Sequence, residues 1–247
     1  MLIDRLVDVL ECFERGKPLG ITEISEQTSL AKGTVHRIVT NLRRRGFLEQ
    51  KTGSKRYRLG PRLLSLSAVA ASQNDLVQRL LPQMIQLRDQ IGETVLLSIR
   101  LDEQSHFTAY QVESFHSIRM SAQIGKPRPL FLGCGGKAIL AFRPVAERDR
   151  LLAGFTGSQT AAGEYRTSDS IRTDLESIRR VGYSKSTEEL TPGATGVGVP
   201  IFDFAGDAIA SLYIAGPLPR FSETAQGEAI RALESMARQS ASAREAV

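Results

Sequence analysis

Tryptophan is absent from the chain, and cysteine and histidine are scarce, with two and three copies among 247 residues. Two cysteines cannot build a disulfide scaffold or a four-thiolate site, which points to a reducing compartment. No Cys or His pair stands at ligand spacing, so no metal and no cofactor are expected. No run approaches the roughly 20 apolar residues that a membrane span requires. Asp4, Arg5, Asp8 and Glu11 interrupt the apolar pattern of the N-terminus, so neither a signal nor a transit peptide is expected there. A cytoplasmic protein without membrane association is the expectation. What the chain does have is enough length for one or two domains with substantial cores.

Its net charge of +5 averages two unlike parts. Residues 1–62 carry 13 basic and 7 acidic side chains, whereas residues 63–247 carry 19 and 20. The excess narrows to 32–62, where ten basic residues face one acid, Glu49. A basic patch on an otherwise neutral protein is the footprint of a polyanion binder. A charge run alone is also compatible with a solvated face, so the surrounding pattern must decide.

Apolar residues recur at helical spacing over Ile3–Phe13, and Gly16, Pro18 and Gly20 end that run. A short second helix fits Thr22–Thr28 with Thr22 as N-cap, and a third fits Lys32–Arg45 with Val35, Ile38, Val39 and Leu42 as its buried stripe. Between Gly46 and Gly60 the period shortens to two strands around a glycine turn. Three helices and a basic hairpin make a winged helix-turn-helix, placed at 1–60. A linker helix over 61–75 begins at Pro61, and a broadly apolar helix follows, kinked or restarted at Pro82. An apolar connecting helix is best hidden against a second copy of itself, so a homodimer is expected.

Beyond Gly92, strand signals at Val95–Arg100, His106–Glu113, Ile118–Ile124, Tyr183–Thr187, Val197–Asp203 and Ala208–Ala215 alternate with helix signals. The helices are expected at Gly135–Phe142, Pro144–Ala153, Asp169–Val181 and Ser222–Arg244. The second domain, 76–247, is therefore α+β, a mostly antiparallel sheet with flanking helices.

With Val35, Ile38 and Leu42 inward, the third helix presents Lys32, Gly33, Thr34, His36, Arg37, Thr40 and Arg44 outward. Side chains in the first turns of such a helix reach base edges in the major groove. Arg37 can fork onto guanine O6 and N7, and the Thr34 hydroxyl can meet a base or a phosphate. Arg43–Arg45, Lys51, Lys55, Arg56 and Arg58 suit phosphates, which position without specifying. Ser29 stands where such turns often use glycine to reach positive φ. A winged helix used for protein contacts is the competing use of this module.

Enzyme signals in the second domain are weak. Gly133-Cys-Gly-Gly-Lys137 fails as a phosphate loop because Phe131 replaces the upstream glycine and Ala138 the metal-binding hydroxyl. It reads better as a glycine-rich helix start whose free N–H groups could meet an anion. Cys134 as a nucleophile would need His106 or His116 as its base, and a buried or pocket-lining thiol is the simpler account. Gly193–Gly198 lacks dinucleotide-fingerprint spacing. The alternative function is an enzyme or small-molecule sensor domain with an incidental basic module.

The run Ile21-Thr-Glu-Ile-Ser-Glu, Leu30-Ala-Lys-Gly-Thr-Val-His-Arg-Ile38, Gly46-Phe-Leu48 and Tyr57-Arg-Leu-Gly60 resembles an IclR-type transcriptional regulator. So do Gly92-Glu-Thr-Val95, Gly136-Lys137-Ala138, Glu188-Glu189, Pro192-Gly193, Pro200 and Gly216-Pro217. The resemblance covers nearly the whole chain. It implies a winged-helix DNA reader, a linker helix and a GAF-like domain binding a small carboxylate or aromatic acid, in dimers that often pair into tetramers. Effector-pocket positions carried over by those motifs are Met120, Arg128, Gly133, Cys134, Gly135, Ser186, Ala194, Gly196, Tyr213 and Ala215. Gly196 stands where many members have cysteine, Tyr213 and Ala215 where many have serine, and Phe131 where histidine is common. A lost side chain at Gly196 and a gained ring at Tyr213 would compensate in one cavity, leaving it more apolar and aromatic. Arg128 is either available to an effector carboxylate or simply exposed between Pro127 and Pro129.

Overall fold

The apolar stripes of the first 45 residues close on one another. In the computed structural model, which describes residues 2–14 and 16–242, α1 (Leu2–Glu11), α2 (Ile21–Thr28) and α3 (Lys32–Arg44) bury Val9, Phe13, Ile24, Val35, Ile38, Val39 and Leu42 together. Leu48 and Tyr57 complete this core from the antiparallel pair β1 (Leu48–Gln50) and β2 (Tyr57–Leu59). Leu19 and Tyr57 exchange backbone hydrogen bonds of 2.9 and 2.8 Å, which tie the hairpin to the segment before α2.

Ser29 holds φ at 56° in the turn between α2 and α3, and Ser25 Oγ donates to the Leu30 carbonyl at 2.6 Å. A serine thus makes the left-handed turn that glycine would make more cheaply. Thr22 is not the N-cap of α2. The helix starts one residue earlier, Gly20 is the cap, and Glu23 Oε2 accepts from its N–H at 2.8 Å.

The helix α4 (Pro61–Ser72) follows, with Pro61 in its first turn and no residue buried. By contact density the chain divides after Asp75, into one unit ending there and another beginning at Leu76. The helix α5 (Asp75–Ile91) keeps Pro82 in its interior, so of the kink or restart expected there the restart does not occur. Proline in a helix interior costs about 3 kcal/mol. Burial of Leu80, Met84 and Leu87, each worth roughly 1.5–3 kcal/mol, offsets it.

The second unit is built on a six-stranded antiparallel sheet. Its strands are β3 (Thr94–Arg100), β4 (Ser105–Val112), β5 (Pro127–Pro129), β8 (Ser184–Thr187), β9 (Ala194–Phe202) and β10 (Ala208–Pro217), in the order β5-β4-β3-β10-β9-β8. The helices α6 (Gly133–Ala141), α7 (Val145–Ala153), α8 (Ser168–Val181) and α9 (Glu223–Ser242) and a two-residue hairpin, β6 (Ser158–Gln159) with β7 (Tyr165–Arg166), complete it. Alternation along the strands sorts the two faces. Val95, Leu97, Val197, Val199, Leu212 and Ile214 pack with Leu80 and Met84 of α5 and Leu233 and Met236 of α9. The intervening residues, among them Leu96, Ser211 and Tyr213, face the side where α6 lies.

Two strand expectations change. Ile118–Ile124 is an irregular segment, tied at two points to side chains of β3 and β4. Thr94 Oγ1 donates to the Met120 carbonyl at 2.6 Å, and Ala122 N–H donates to Gln111 Oε1 at 2.9 Å. Pro127–Pro129, where no strand was expected, is the edge strand β5, a position that tolerates proline. The helix expected over Ser222–Arg244 starts at Glu223, and Ala243 and Arg244 lie outside the described residues.

Candidate nucleic-acid interface and ligand cavity

In the first unit, burial of Val35, Ile38, Val39 and Leu42 leaves one face of α3 to solvent. Lys32, Gly33, His36, Arg37, Thr40 and Arg44 are exposed there, and Thr34 is half-buried. No side chain caps the start of α3, so its first N–H groups stand open. A Cβ added to Gly33 would meet nothing within 4 Å, so the fold itself does not require glycine at that position. Among the described residues, no acidic side chain pairs with Lys32, Arg37 or Arg44, and Arg44 donates to the side-chain oxygen Oδ1 of Asn41 at 3.3 Å.

The hairpin divides its cations. Lys55 is exposed in the turn, whereas Arg56 donates to Glu23 Oε1 at 2.9 Å and to the Pro18 carbonyl at 2.8 Å. Arg58 is held by Glu49 at 2.6 Å. Two of the wing's expected phosphate contacts are therefore engaged within the unit.

In the second unit, one cavity of about 100 Å³ gathers all ten expected pocket residues, Met120, Arg128, Gly133, Cys134, Gly135, Ser186, Ala194, Gly196, Tyr213 and Ala215. It lies between the α6 face of the sheet and the start of α6. Small residues make room for it at defined contacts. A Cβ on Gly198 would stand 2.8 Å from Tyr213 Cβ, and one on Gly135 would stand 3.1 Å from its ring. A Cβ on Gly196 would stand 2.8 Å from Cys134 Sγ. The ring at 213 is thus accommodated by Gly135 and Gly198, and Gly196 accommodates the thiol. Gly196 and Tyr213 line the one cavity, and the atoms nearest a Cβ at 196 belong to Cys134, Ile214 and Ala215.

Hydrogen bonds pin the start of α6. Gly133 N–H donates to Glu189 Oε2 at 2.7 Å and Cys134 N–H to Ser186 Oγ at 3.0 Å. Ser184 Oγ donates to the Cys134 carbonyl at 2.7 Å, and Ser211 Oγ to that of Gly135 at 2.8 Å. Of the N–H groups that the glycine-rich sequence offers an anion, those of Gly133 and Cys134 therefore already have partners. Lys137, almost fully buried, donates to Glu189 Oε1 at 2.5 Å and to Asp174 Oδ2 at 3.0 Å, and Asp174 also accepts from Arg166 at 2.6 Å.

The electrostatics are lopsided. Arg128 is half-buried on β5, directly opposite His106 of β4, and no carboxylate among the described residues pairs with it. His106 is buried in the cavity wall, and neither ring nitrogen has a hydrogen-bond partner. Burial, aided by the Arg128 charge, pulls its pKa down to about 4, so the ring is neutral near pH 7. Burial pushes the Cys134 thiol up to about 11, the opposite of what a nucleophile needs. The Tyr213 hydroxyl lies 3.1 Å from Thr108 Oγ1, and burial raises its pKa too. His106, Leu96 and Glu189 also line the cavity, although the sequence offered His106 only as a possible base for Cys134, Glu189 only within a family motif and Leu96 not at all. Alternation in β3 and β4 and the Glu188-Glu189 pair were the available signals.

Residues 2–52 match the IclR helix-turn-helix domain, and residues 68–242 match the C-terminal domain of the bacterial transcriptional regulator IclR. The chain is 30% identical over 234 residues to the HTH-type transcriptional regulator KdgR of Escherichia coli, covering 95% of this chain and 89% of that one. It is 31% identical over 225 residues to the glycerol operon regulatory protein of Streptomyces griseus, covering 88% and 85%. An IclR family transcriptional regulator from Brucella abortus has a similar structure, with a TM-score of 0.82 at 27% identity over 98% of this chain and 92% of that one. Both the DNA-facing module and the cavity-bearing unit being matched, the chain belongs to the IclR family of bacterial transcriptional regulators.

Proposed function

We propose that operator DNA is read by Arg37 and Thr34 from the major groove and that Lys32, Arg44 and Lys55 hold the flanking phosphates. The open cationic face of α3 carries this assignment, since its bases have no acidic partners to give up. Gly33 lets the backbone approach DNA closely, and His36 and Thr40 border the same face. Arg56 serves chiefly to brace the wing through Glu23.

The cavity of the second unit receives a small organic acid whose carboxylate meets Arg128, a cation with no counter-ion among the described residues. Its volume of about 100 Å³ suits a ligand smaller than the usual drug-sized occupant. Ligand binding shifts operator affinity only if it favours one protein arrangement over another. The linker over 61–75 is assigned as the mechanical link. Leu64, Leu66 and Val69, exposed by 73%, 46% and 51%, are covered in a homodimer. The protein acts in the cytoplasm, and the protonated thiol of Cys134 gives it no nucleophilic role.

Fluorescence anisotropy with operator and random duplexes tests the DNA assignment. Arg37→Ala lowers the specificity ratio by roughly 5- to 150-fold, the equivalent of about 1–3 kcal/mol for a lost bidentate base contact. An unchanged ratio refutes the groove assignment.

A further inference from the structure

The cavity has two chemically different ends. Arg128 belongs to β5, at one edge of the sheet, and Glu189 follows β8, at the other edge. At the first end the guanidinium lacks a carboxylate, and His106 presents a buried ring with both nitrogens unpartnered. Buried polar groups without partners are uncommon, and a ligand is one of the few things that explains them. At the second end, Glu189 already caps the start of α6 through Gly133 N–H and binds Lys137. An ionised carboxylate has about four acceptor sites. Two are used, so Glu189 can accept one more hydrogen bond but repels a second anion.

We propose that the cavity selects monocarboxylic hydroxy acids, seated with the carboxylate on Arg128 and His106 and the hydroxyl on Glu189, and rejects dicarboxylates. This rests on the cavity being the effector site. Glu189 on the Gly133 N–H and Ser186 on the Cys134 N–H already occupy the first two N–H groups of α6, which makes the Arg128 end the better seat for the carboxylate. That seat also gives the unpartnered imidazole an acceptor, since a neutral histidine offers one N–H.

The test uses the full-length protein labelled with ¹³C-methyl methionine. Met120 lines the cavity, and Met84 and Met236 lie in the core on the other face of the sheet. Two series are titrated, 4-hydroxybutyrate, butyrate and succinate, then 3-hydroxypropionate, propionate and malonate. The expected result is a Met120 shift, with Met84 and Met236 unmoved, at concentrations roughly tenfold lower for one hydroxy acid than for its plain analogue. The matching dicarboxylate gives no shift, and Arg128→Gln abolishes the hydroxy-acid response. A dicarboxylate that moves Met120 as readily as its hydroxy acid overturns the polarity assigned here and leaves the cavity as the effector site. A hydroxy acid that alters operator binding without moving Met120 overturns both, as does failure of all six acids to move it. Glu189→Gln, which removes the repulsion while keeping an acceptor, is expected to admit succinate or malonate. Continued rejection by a folded variant assigns the exclusion to something other than charge and counts against the proposal.

Discussion

Lys137 is the most informative single perturbation in the second unit. Its side chain is 3% exposed, and its ammonium lies between Glu189 and Asp174, themselves 8% and 32% exposed. In Lys137→Met the stem volume survives and the charge does not. Asp174 keeps Arg166 at 2.6 Å and some solvent, whereas Glu189 stays buried with only the Gly133 N–H at 2.7 Å. Stripping one partner from a buried pair costs about 3–5 kcal/mol, mostly the penalty of the charge left behind. At about 2–4 °C per kcal/mol for a domain of this size, the melting temperature of the second unit falls by roughly 6–20 °C. The double variant Lys137→Met/Glu189→Gln removes both charges, and the glutamine oxygen still accepts from Gly133, so most of the loss should return. Differential scanning calorimetry with urea titration of the single and double variants measures the coupling. If the single change costs less than about 1 kcal/mol, or the double variant is as unstable as the summed singles, the pair is not the buried anchor described.

Other expectations are independent of that pair. His106 titrates at about 4 when folded against an ordinary 6.5, so its neutral burial favours folding fully above pH 6.5 and progressively less as pH falls toward 4. The full difference amounts to about 3 kcal/mol. His106→Gln should flatten stability against pH in that window, and superimposable urea profiles for variant and wild type would sink the assignment. Gly33→Ala should leave the fold intact or add up to about 1 kcal/mol, since the Cβ points into open space, while weakening operator binding. Unchanged binding would mean that no DNA backbone or base edge comes close to residue 33. Gly198→Ala puts a Cβ 2.8 Å from Tyr213 Cβ, an overpacking expected to cost about 1–3 kcal/mol by thermal unfolding. In salt titrations, Lys55→Ala should lower the slope by about one, whereas Arg56→Ala should lower it less. Equal slopes for the two variants would return Arg56 to the phosphate contacts.

The helices were legible because their information is local. The period of Val35, Ile38, Val39 and Leu42 gives a buried stripe in any context, and the face opposite it follows by geometry. The cavity was legible in membership but not in use. Motif positions named ten of its residues, yet which glycine makes room for which side chain depends on the distance between strands and α6. Only folding brings Gly198 beneath Tyr213 and Gly196 beneath Cys134. Partnership was the least legible property. Arg56 sits in the same basic run as Lys55, but Glu23, 33 residues earlier, engages it. Gly133 opens a helix whose N–H groups appear free in sequence, but Glu189, 56 residues later, occupies the first of them. A basic or glycine-rich run states what a segment could bind, and the long-range partners decide what it still has free to bind. By that criterion Lys32, Arg37, Lys55 and Arg128 are among the cations that no acidic side chain of the described residues engages, whereas Arg56 is already taken.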